Sequence, residues 1–526
     1  MSKIISIYGG HNASVTFHDA GGKYHVIELE RLTQERHYML FDKTSEVFRE
    51  VIEKCLDIAR EFWGIENDFD VCCYGVNGSS HLDEIKKVVN ARAVRQFDHH
   101  LSHAACAFYQ SPYQKSLVIS YDGGGNDGVF NAYFADRETN EFKFVGSHHH
   151  NLGHAYLLTG YPISELKGIK GKLPHDLSIA GKLMGLVARG NVRQEWLEPM
   201  REFYRGNSWN FARLSSSIGR ALSFNSLEGQ DSFDFAATSQ QVFEEEFYSI
   251  TSELLEQHSD VPLCLSGGCA LNVLLNEKIR EARGDNLFIP PNPDDGGLSL
   301  GQMFLQSPPV GEVDITFNGL PILDKDFRAG HEFTKRPAQI AEVVRYITSG
   351  KIVGIIEGDS EVGPRALGNR SIICDPSYPN MKDTLNSKVK FREWFRPFAP
   401  VVRHEESARF FEVDSSRDTL RNFKFMSFAP RVRSEYKGII PAIVHSDGTA
   451  RLQVVFEDDD SIFYKILTEM SRVCDHPVIL NTSFNIKGKP ILSKIEDAVE
   501  VLRLTQLDAV YNDGFIYEYT GERETS

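Results

Sequence analysis

Cysteine is scarce: the 526-residue chain has eight, at positions 55, 72, 73, 106, 264, 269, 374 and 474, and none are spaced C-x-x-C. This excludes a disulfide scaffold and offers no signature of a structural zinc site or dithiol redox couple, so reduced thiols are expected. No window reaches the ~18 uninterrupted apolar residues of a membrane span. The opening MSKIISIYGGHNASVTFHD alternates like a strand and lacks the charged flank and apolar core of a secretion signal. A cytoplasmic protein without membrane association is expected. Positive charge is in deficit, with 57 Lys and Arg against 73 Asp and Glu and a net charge of −16. A general polyanion binder is therefore disfavoured, although a local basic cleft is not excluded. There is no G-x-x-x-x-G-K-[ST], which removes P-loop chemistry, and no solenoid period or low-complexity tract.

What remains is ordinary for a globular protein: 41% hydrophobic and 25% charged residues, in a length that suggests roughly three to four units. Ile4 to Tyr8, the turn Gly9-Gly10-His11-Asn12, Ser14 to Phe17, the turn Gly21-Gly22 and Tyr24 to Leu29 read as a strand meander. The same grammar returns at Ser116 to Tyr121, Asp122-Gly123-Gly124-Gly125-Asn126-Asp127-Gly128 and Val129 to Ala135, which predicts an internally duplicated fold. Helical spacing is expected over Ser45 to Phe62, Leu101 to Phe108 and Gln240 to Leu255. Ser307-Pro308-Pro309, Gly311 and Gly319-Leu320-Pro321 mark an inter-domain connection within 306–337, with a second domain starting at helix Ala338 to Ser349 and strand Ile352 to Glu357.

Several constellations could carry chemistry. His99 and His103 stand four apart at the start of a predicted helix and so share one face, as metal-ligating imidazoles do; solvated or capping histidines are the alternative. Asp122, ending an apolar strand, and Asp295, in Pro290-Pro291-Asn292-Pro293-Asp294-Asp295-Gly296-Gly297, could complete a mixed nitrogen and oxygen set suited to Fe(II), Mn(II) or Zn(II). Asp294 could equally be that second carboxylate; the D-x-G register with Gly297 favours Asp295. The run Gly123-x-Gly125-x-x-Gly128 formally matches a dinucleotide fingerprint, but a strand follows it where the fingerprint needs a helix, so an actin-like phosphate loop fits better. Ser266-Gly267-Gly268-Cys269-Ala270-Leu271-Asn272 reads as a glycine turn opening a helix, able to hold nucleotide phosphate or ribose through Ser266, Gly267, Gly268 and Asn272. In the second domain Arg365, Arg370, Lys390, Arg392, Arg396 and Arg451, with Asn481, Ser483 and Asn485, are embedded among Gly, Pro and aromatic residues. Cations in that setting suit a compact, oxygen-rich anion better than surface ion pairing.

Eight motifs run collinearly over nearly the whole chain: His11-Asn12-Ala13-Ser14, His99-His100-Leu101-Ser102-His103-Ala104-Ala105, Asp122-Gly123-Gly124-Gly125, Ser266-Gly267-Gly268-Cys269-Ala270-Leu271-Asn272, Gly363-Pro364-Arg365-Ala366-Leu367-Gly368-Asn369-Arg370-Ser371, Phe395-Arg396-Pro397-Phe398-Ala399-Pro400, Asp447-Gly448-Thr449-Ala450-Arg451 and Asn481-Thr482-Ser483-Phe484-Asn485. Together they resemble the NodU/TobZ/CmcH family of O-carbamoyltransferases. The resemblance implies an α/β protein with a duplicated actin-like ATPase (ASKHA) domain over 1–305 and a YrdC-like α/β domain over 338–526. It implies that the rear domain makes carbamoyl adenylate from carbamoyl phosphate and ATP, with Mg(II), and that the front domain transfers the carbamoyl group to a hydroxyl.

By the same resemblance His99, His103, Asp122 and Asp295 align with an iron-type metal site, Fe(II) being expected, and His11 with a histidine near the transfer centre. Lys390-x-Arg392 and Ser483-x-Asn485 resemble anion-binding K-x-R and S-x-N elements; Arg365, Arg370, Lys390 and Arg392 would neutralise phosphate charge during adenylation, and Arg396, Arg451 and Asn481 are further expected ligand contacts. Gly123 and Gly124 would line the nucleotide loop. Asp359-Ser360-Glu361-Val362-Gly363 departs from the family's usual approach to its Gly-Pro-Arg motif.

The acceptor is open: a sugar or other small alcohol, or a hydroxymethylated pyrimidine in a nucleotide or nucleic acid. The basic stretch Lys167 to Pro174, with Lys182, Arg189 and Arg193, could contact a phosphate-bearing acceptor or be a solvated loop. A homodimer is a further expectation. The competing classes are an actin-like-fold kinase, which would make ADP, and a nucleotide-switched binding protein, which would leave the rear cations unexplained.

Overall fold

A computed structural model describes residues 3–75, 81–166, 176–206, 210–284 and 286–522. Two five-stranded sheets of the same topology fill its front half. In the first, β1 (Ile4–Tyr8), β2 (Ser14–His18) and β3 (Tyr24–Glu28) form an antiparallel meander, and β4 (Phe69–Gly75) and β5 (Ala91–Phe97) extend it in parallel from β1, giving the order β3-β2-β1-β4-β5. In the second, β6 (Lys115–Gly125), β7 (Gly128–Asp136) and β8 (Glu141–Ser147) repeat the meander, with β9 (Leu263–Ser266) and β10 (Leu287–Phe288) parallel to β6, giving β8-β7-β6-β9-β10. The duplication expected from the sequence is present, the two sheets repeating one strand order.

Local chemistry sets these turns. Asp19 Oδ1 accepts the Lys23 N–H while Gly22 takes φ +88°, a left-handed conformation that glycine adopts without cost. The first turn instead uses Asn12 at φ +54°, a conformation asparagine tolerates better than most residues.

Helix His99–Gln110 lies between the sheets and crosses helix Leu298–Gln306. They approach so closely that a Cβ at Gly301 would sit 1.9 Å from the Ser102 carbonyl oxygen, so only glycine permits the crossing. Ala104, Ala105, Cys106, Ala107 and Phe108 on one side and Leu300, Met303 and Phe304 on the other are buried there, which explains a helix apolar around most of its circumference. Helix Gln230–Gln257 begins ten residues before the sequence pattern suggested, and it packs with helices Ser178–Val187 and Gln194–Arg205.

The rear half is a mixed eight-stranded sheet in the order β11-β18-β17-β12-β13-β16-β14-β15, built from β11 (Phe333–Pro337), β12 (Val353–Ile356), β13 (Arg370–Cys374), β14 (Ala399–Arg403), β15 (Gln453–Val455), β16 (Ile479–Ser483), β17 (Ala509–Asn512) and β18 (Phe515–Tyr519). The expected connection ends in β11, an edge strand paired antiparallel with β18. Upstream of β11 it is stitched to both halves: Val26 N–H donates to Asn318 O, Ser360 N–H to Leu320 O and Val362 N–H to Thr316 O. No helix among the described residues is long and apolar enough to cross a membrane, and all eight cysteines are free thiols.

Candidate metal and anion centres

The i, i+4 spacing puts the His99 and His103 rings side by side at the start of helix His99–Gln110. Asp122 reaches them from β6, where the strand bulges out of register with β7. Asp295 comes from the Pro-Asn-Pro loop after β10. The Asp122 Oδ2 atom is 3.2 Å from His99 Nε2 and 3.3 Å from His103 Nε2; Asp295 Oδ1 is 3.6 Å and 3.3 Å from the same atoms. All four side chains are buried, and their ligating atoms lie within 4.8 Å of one another.

Each carboxylate turns one oxygen toward the imidazoles and has the other held by a donor outside them. Gly123 N–H (2.7 Å) and Gly268 N–H (3.2 Å) donate to Asp122 Oδ1. Tyr8 O–H donates to Asp295 Oδ2 at 2.5 Å, while the buried Asp295 Oδ1 has no hydrogen-bond partner. Two buried carboxylates facing two imidazoles require positive charge. Burial alone would raise Asp122, yet its bonds and charge interactions with His103 and His99 hold it well below the usual range. Burial opposes protonation of His103, but Asp122 and Asp295 bring it up to about 9. A divalent ion would meet the same demand, so the residues fit a metal of the N₂O₂ class.

His11, on the turn between β1 and β2, brings Nε2 to 3.3 Å from Asp295 Oδ2, with its side chain 40% exposed. The Asp295 charge raises His11, with burial opposing. Asp294 faces away from the donor group: its Oδ2 accepts from Asn12 Nδ2 (3.0 Å), and its Oδ1 caps Gly296 N–H. Of the adjacent aspartates, Asp295 lies among the metal donors.

The rear cations converge on a second centre. Lys390 is buried and donates through Nζ to Ser483 O (2.5 Å), Asn485 Oδ1 (2.5 Å), Asn485 O (2.6 Å) and Ser483 Oγ (3.4 Å), so the K-x-R and S-x-N elements meet. Arg392 donates to Asn386 Oδ1 and lies 4.6 Å above the Phe398 ring. Burial, then the charges of Arg365, Arg392 and Arg396, push Arg451 well below the ordinary arginine range. Burial, then Arg396, lowers Arg365 to about 10, with Asp294 pulling the other way. The neighbouring carboxylate, Glu393, is shared among Lys182, Arg396 and Lys487. Arg451 Nε is buried without a partner. Such a cluster needs an anion.

Several residues that the sequence assigned to ligand contact are placed as braces. Arg370 is fully buried and donates to the carbonyls of Glu357, Asn369, Gly358 and Leu320, so its guanidinium is committed to backbone. Asn481 holds Ala366 O and Gln453, Ser266 Oγ bonds Pro293 O, and Asn272 caps helix Val273–Arg283. Gly267, at φ +90°, lets the turn pass the Tyr121 carbonyl, where a Cβ would sit at 2.2 Å. The glycine turn therefore presents Gly268 N–H to Asp122, and Gly123 N–H is spent on the same carboxylate. Gly124 has open space around its Cα.

The stretch Lys167 to Pro174 lies outside the described residues. Beyond it, Lys182 pairs with Glu393 (3.3 Å), Arg189 lies 4.3 Å from the Trp394 ring centroid and Arg193 pairs with Asp234, so all three are already engaged within the protein. Sequence reasoning missed Tyr8, Asn12, Glu28 and Arg31. Tyr8 precedes the Gly9-to-Asn12 turn and Asn12 closes it, but nothing in the pattern of Glu28 and Arg31 marks them.

The class defined by this fold and paired site is a group-transfer enzyme: the sequence matches "Carbamoyltransferase N-terminus" over residues 66–303 and "Carbamoyltransferase C-terminus" over residues 344–518. The chain belongs to the carbamoyltransferase family. It is similar to Nodulation protein NolO of Bradyrhizobium diazoefficiens, 31% identical over 443 residues that cover 80% of this chain and 78% of that protein. It is also 31% identical over 442 residues to Nodulation protein NolNO of Sinorhizobium fredii, covering 78% of this chain but 62% of the relative's length. Among solved structures, full-length HypF in its phosphate- and nucleotide-bound form aligns with a TM-score of 0.35 and 13% identity, over 58% of this chain and 55% of that one.

Proposed function

We propose that this protein is a cytoplasmic, ATP-dependent O-carbamoyltransferase that forms carbamoyl adenylate at the rear centre and passes the carbamoyl group to a hydroxyl at the front centre. The observation that carries this reading is the contiguity of the two centres at Arg365, which lines one cavity with Pro290, Pro291 and Pro293, on the loop that leads to the candidate metal donor Asp295.

Mass balance sets the first step. Water cleaves carbamoyl phosphate to carbamate and phosphate, and a carbamate oxygen then attacks the α-phosphorus of Mg-ATP, displacing pyrophosphate. Arg365, Arg392, Arg396 and Arg451 offset the phosphate charge, which is electrostatic stabilisation of a multiply charged transition state. Lys390 holds the Ser483-to-Asn485 turn against that cluster.

In the second step the acceptor hydroxyl attacks the carbamoyl carbon, its proton passes to an imidazole nitrogen of His11, and AMP leaves. A divalent ion held by His99, His103, Asp122 and Asp295, Fe(II) in our assignment, would supply Lewis acidity to the carbamoyl or phosphate oxygens. Keeping the mixed anhydride inside one polypeptide protects it from water. The acceptor is a sugar or other small alcohol, or a hydroxymethylated pyrimidine. The test is incubation with ATP, carbamoyl phosphate and a panel of such acceptors. AMP, pyrophosphate and a product heavier by one carbamoyl group support the reading; ADP, or no nucleotide turnover, contradicts it.

A further inference from the structure

Three segments distant in sequence meet around one glycine. Gly363 has φ +101°, and a Cβ on it would lie 2.1 Å from the carbonyl oxygen of Pro291, four residues before Asp295. From the end of β3, Glu28 accepts the Gly363 N–H at 3.1 Å through Oε1. From the next turn, Arg31 donates Nη2 to Gly363 O at 2.5 Å and Nη1 to Glu361 O at 2.7 Å, while its Nε lies 2.8 Å from Glu28 Oε2. Its guanidinium is 2% exposed. Glu361, itself fully buried, uses Oε1 to accept the N–H groups of Leu367, Gly368 and Arg370, shaping the backbone on the far side of Arg365.

We infer that Arg31, locked by Glu28, is a positioning residue that couples the two half-reactions: it clamps the Glu361-to-Gly363 backbone onto the Pro291 loop and so fixes Arg365 between the anion centre and the metal donors. A planar guanidinium suits this task because it reaches two carbonyls and the Glu28 carboxylate at once, with Glu361 Oε2 3.8 Å from Nη1; an ammonium cannot reproduce the fork. The expected consequence of loosening the clamp is leakage. Adenylate would still form on the rear cations, but its passage to the front centre would no longer be shielded, and water would take the carbamoyl group, releasing AMP and carbamate.

This inference rests on the adenylation reading, and its test separates the two. Full-length protein is given ATP and carbamoyl phosphate with no acceptor, and two rates are measured: carbamoyl-phosphate-dependent ATP–pyrophosphate exchange and net AMP release. In Arg31→Lys, exchange stays within about twofold of the parent while AMP release rises roughly tenfold. An unchanged ratio of AMP release to exchange in folded Arg31→Lys protein overturns the coupling role, as does a parallel fall of both rates. Should Arg31→Lys not fold, Glu28→Gln, which keeps the side-chain shape and the acceptor for Gly363 N–H but turns an amide NH2 that cannot accept toward Arg31 Nε, is read by the same ratio with the same two outcomes. Absence of exchange in the parent protein would instead refute the adenylation reading.

Discussion

Arg365 lines one cavity with Pro293, two residues before Asp295, and while burial and the charge of Arg396 lower its proton affinity, that of Asp294 raises it. Substituting it tests the rear centre directly. Arg365→Ala should reduce ATP–pyrophosphate exchange by about 100-fold or more while the bound metal content stays unchanged. Exchange at the parent rate would remove Arg365 from the anion centre.

The metal site should respond in the opposite way. His103→Ala and Asp295→Asn each remove a buried donor, and elemental analysis should find metal falling from about one ion per chain to roughly a tenth or less. Asp294→Asn, whose side chain serves Asn12 and the Gly296 cap, should retain the ion. Exchange at the rear centre should persist in all three.

Arg370 separates a structural from a binding role. Its guanidinium serves four backbone carbonyls in the interior, so Arg370→Ala leaves those acceptors unpaired and should cost about 3–5 kcal/mol in a denaturant titration. The KM for ATP of the protein that still folds should move little. A large KM change at unaltered stability would return Arg370 to the ligand.

Gly363→Ala should destabilise by about 1–3 kcal/mol, because alanine resists φ +101° and its methyl group would meet the Pro291 carbonyl. A melting temperature equal to that of the parent would show that the joint is soft.

Acid should weaken the rear domain through His445. Burial, with the charges of Arg451 and Lys382, lowers its pKa from the usual 6.5 to about 4, while Asp447 opposes. The unfolded chain therefore binds a proton between those values that the native state does not. This contribution to stability is complete above about pH 6.5 and is lost as pH falls toward 4, at no more than about 1.4 kcal/mol per pH unit. His445→Gln should flatten the dependence of stability on pH over that range, and an identical pH profile would contradict it.

Much of this architecture was legible because its signals are local. Two glycine-turn meanders revealed the duplication, and the four-residue spacing of His99 and His103 announced a shared face. The partners of that pair were also visible, since Asp122 ends an apolar strand and Asp295 follows a rigid Pro-Asn-Pro loop. Arginine roles were less legible. Arg365 and Arg370 occur in one motif and look equivalent in sequence, yet the strand β13 that begins at Arg370 turns its side chain into the interior. The clamp at Arg31 was invisible because its partners are backbone carbonyls some 330 residues away, and a carbonyl leaves no mark on residue type. The Ser266-Gly267-Gly268 turn was recognisable as a turn, but its service to Asp122 depends on how β6 and β9 lie side by side.

Under the proposed mechanism two chemically distinct centres in one chain share a carbamoyl adenylate. The most direct measurement follows both half-reactions in His99→Ala: pyrophosphate exchange driven by carbamoyl phosphate, and carbamoylated product by mass spectrometry with an acceptor that the parent protein uses. With separate centres, exchange continues near the parent rate while product disappears. Loss of exchange together with product would contradict it, because the two steps would then belong to a single centre.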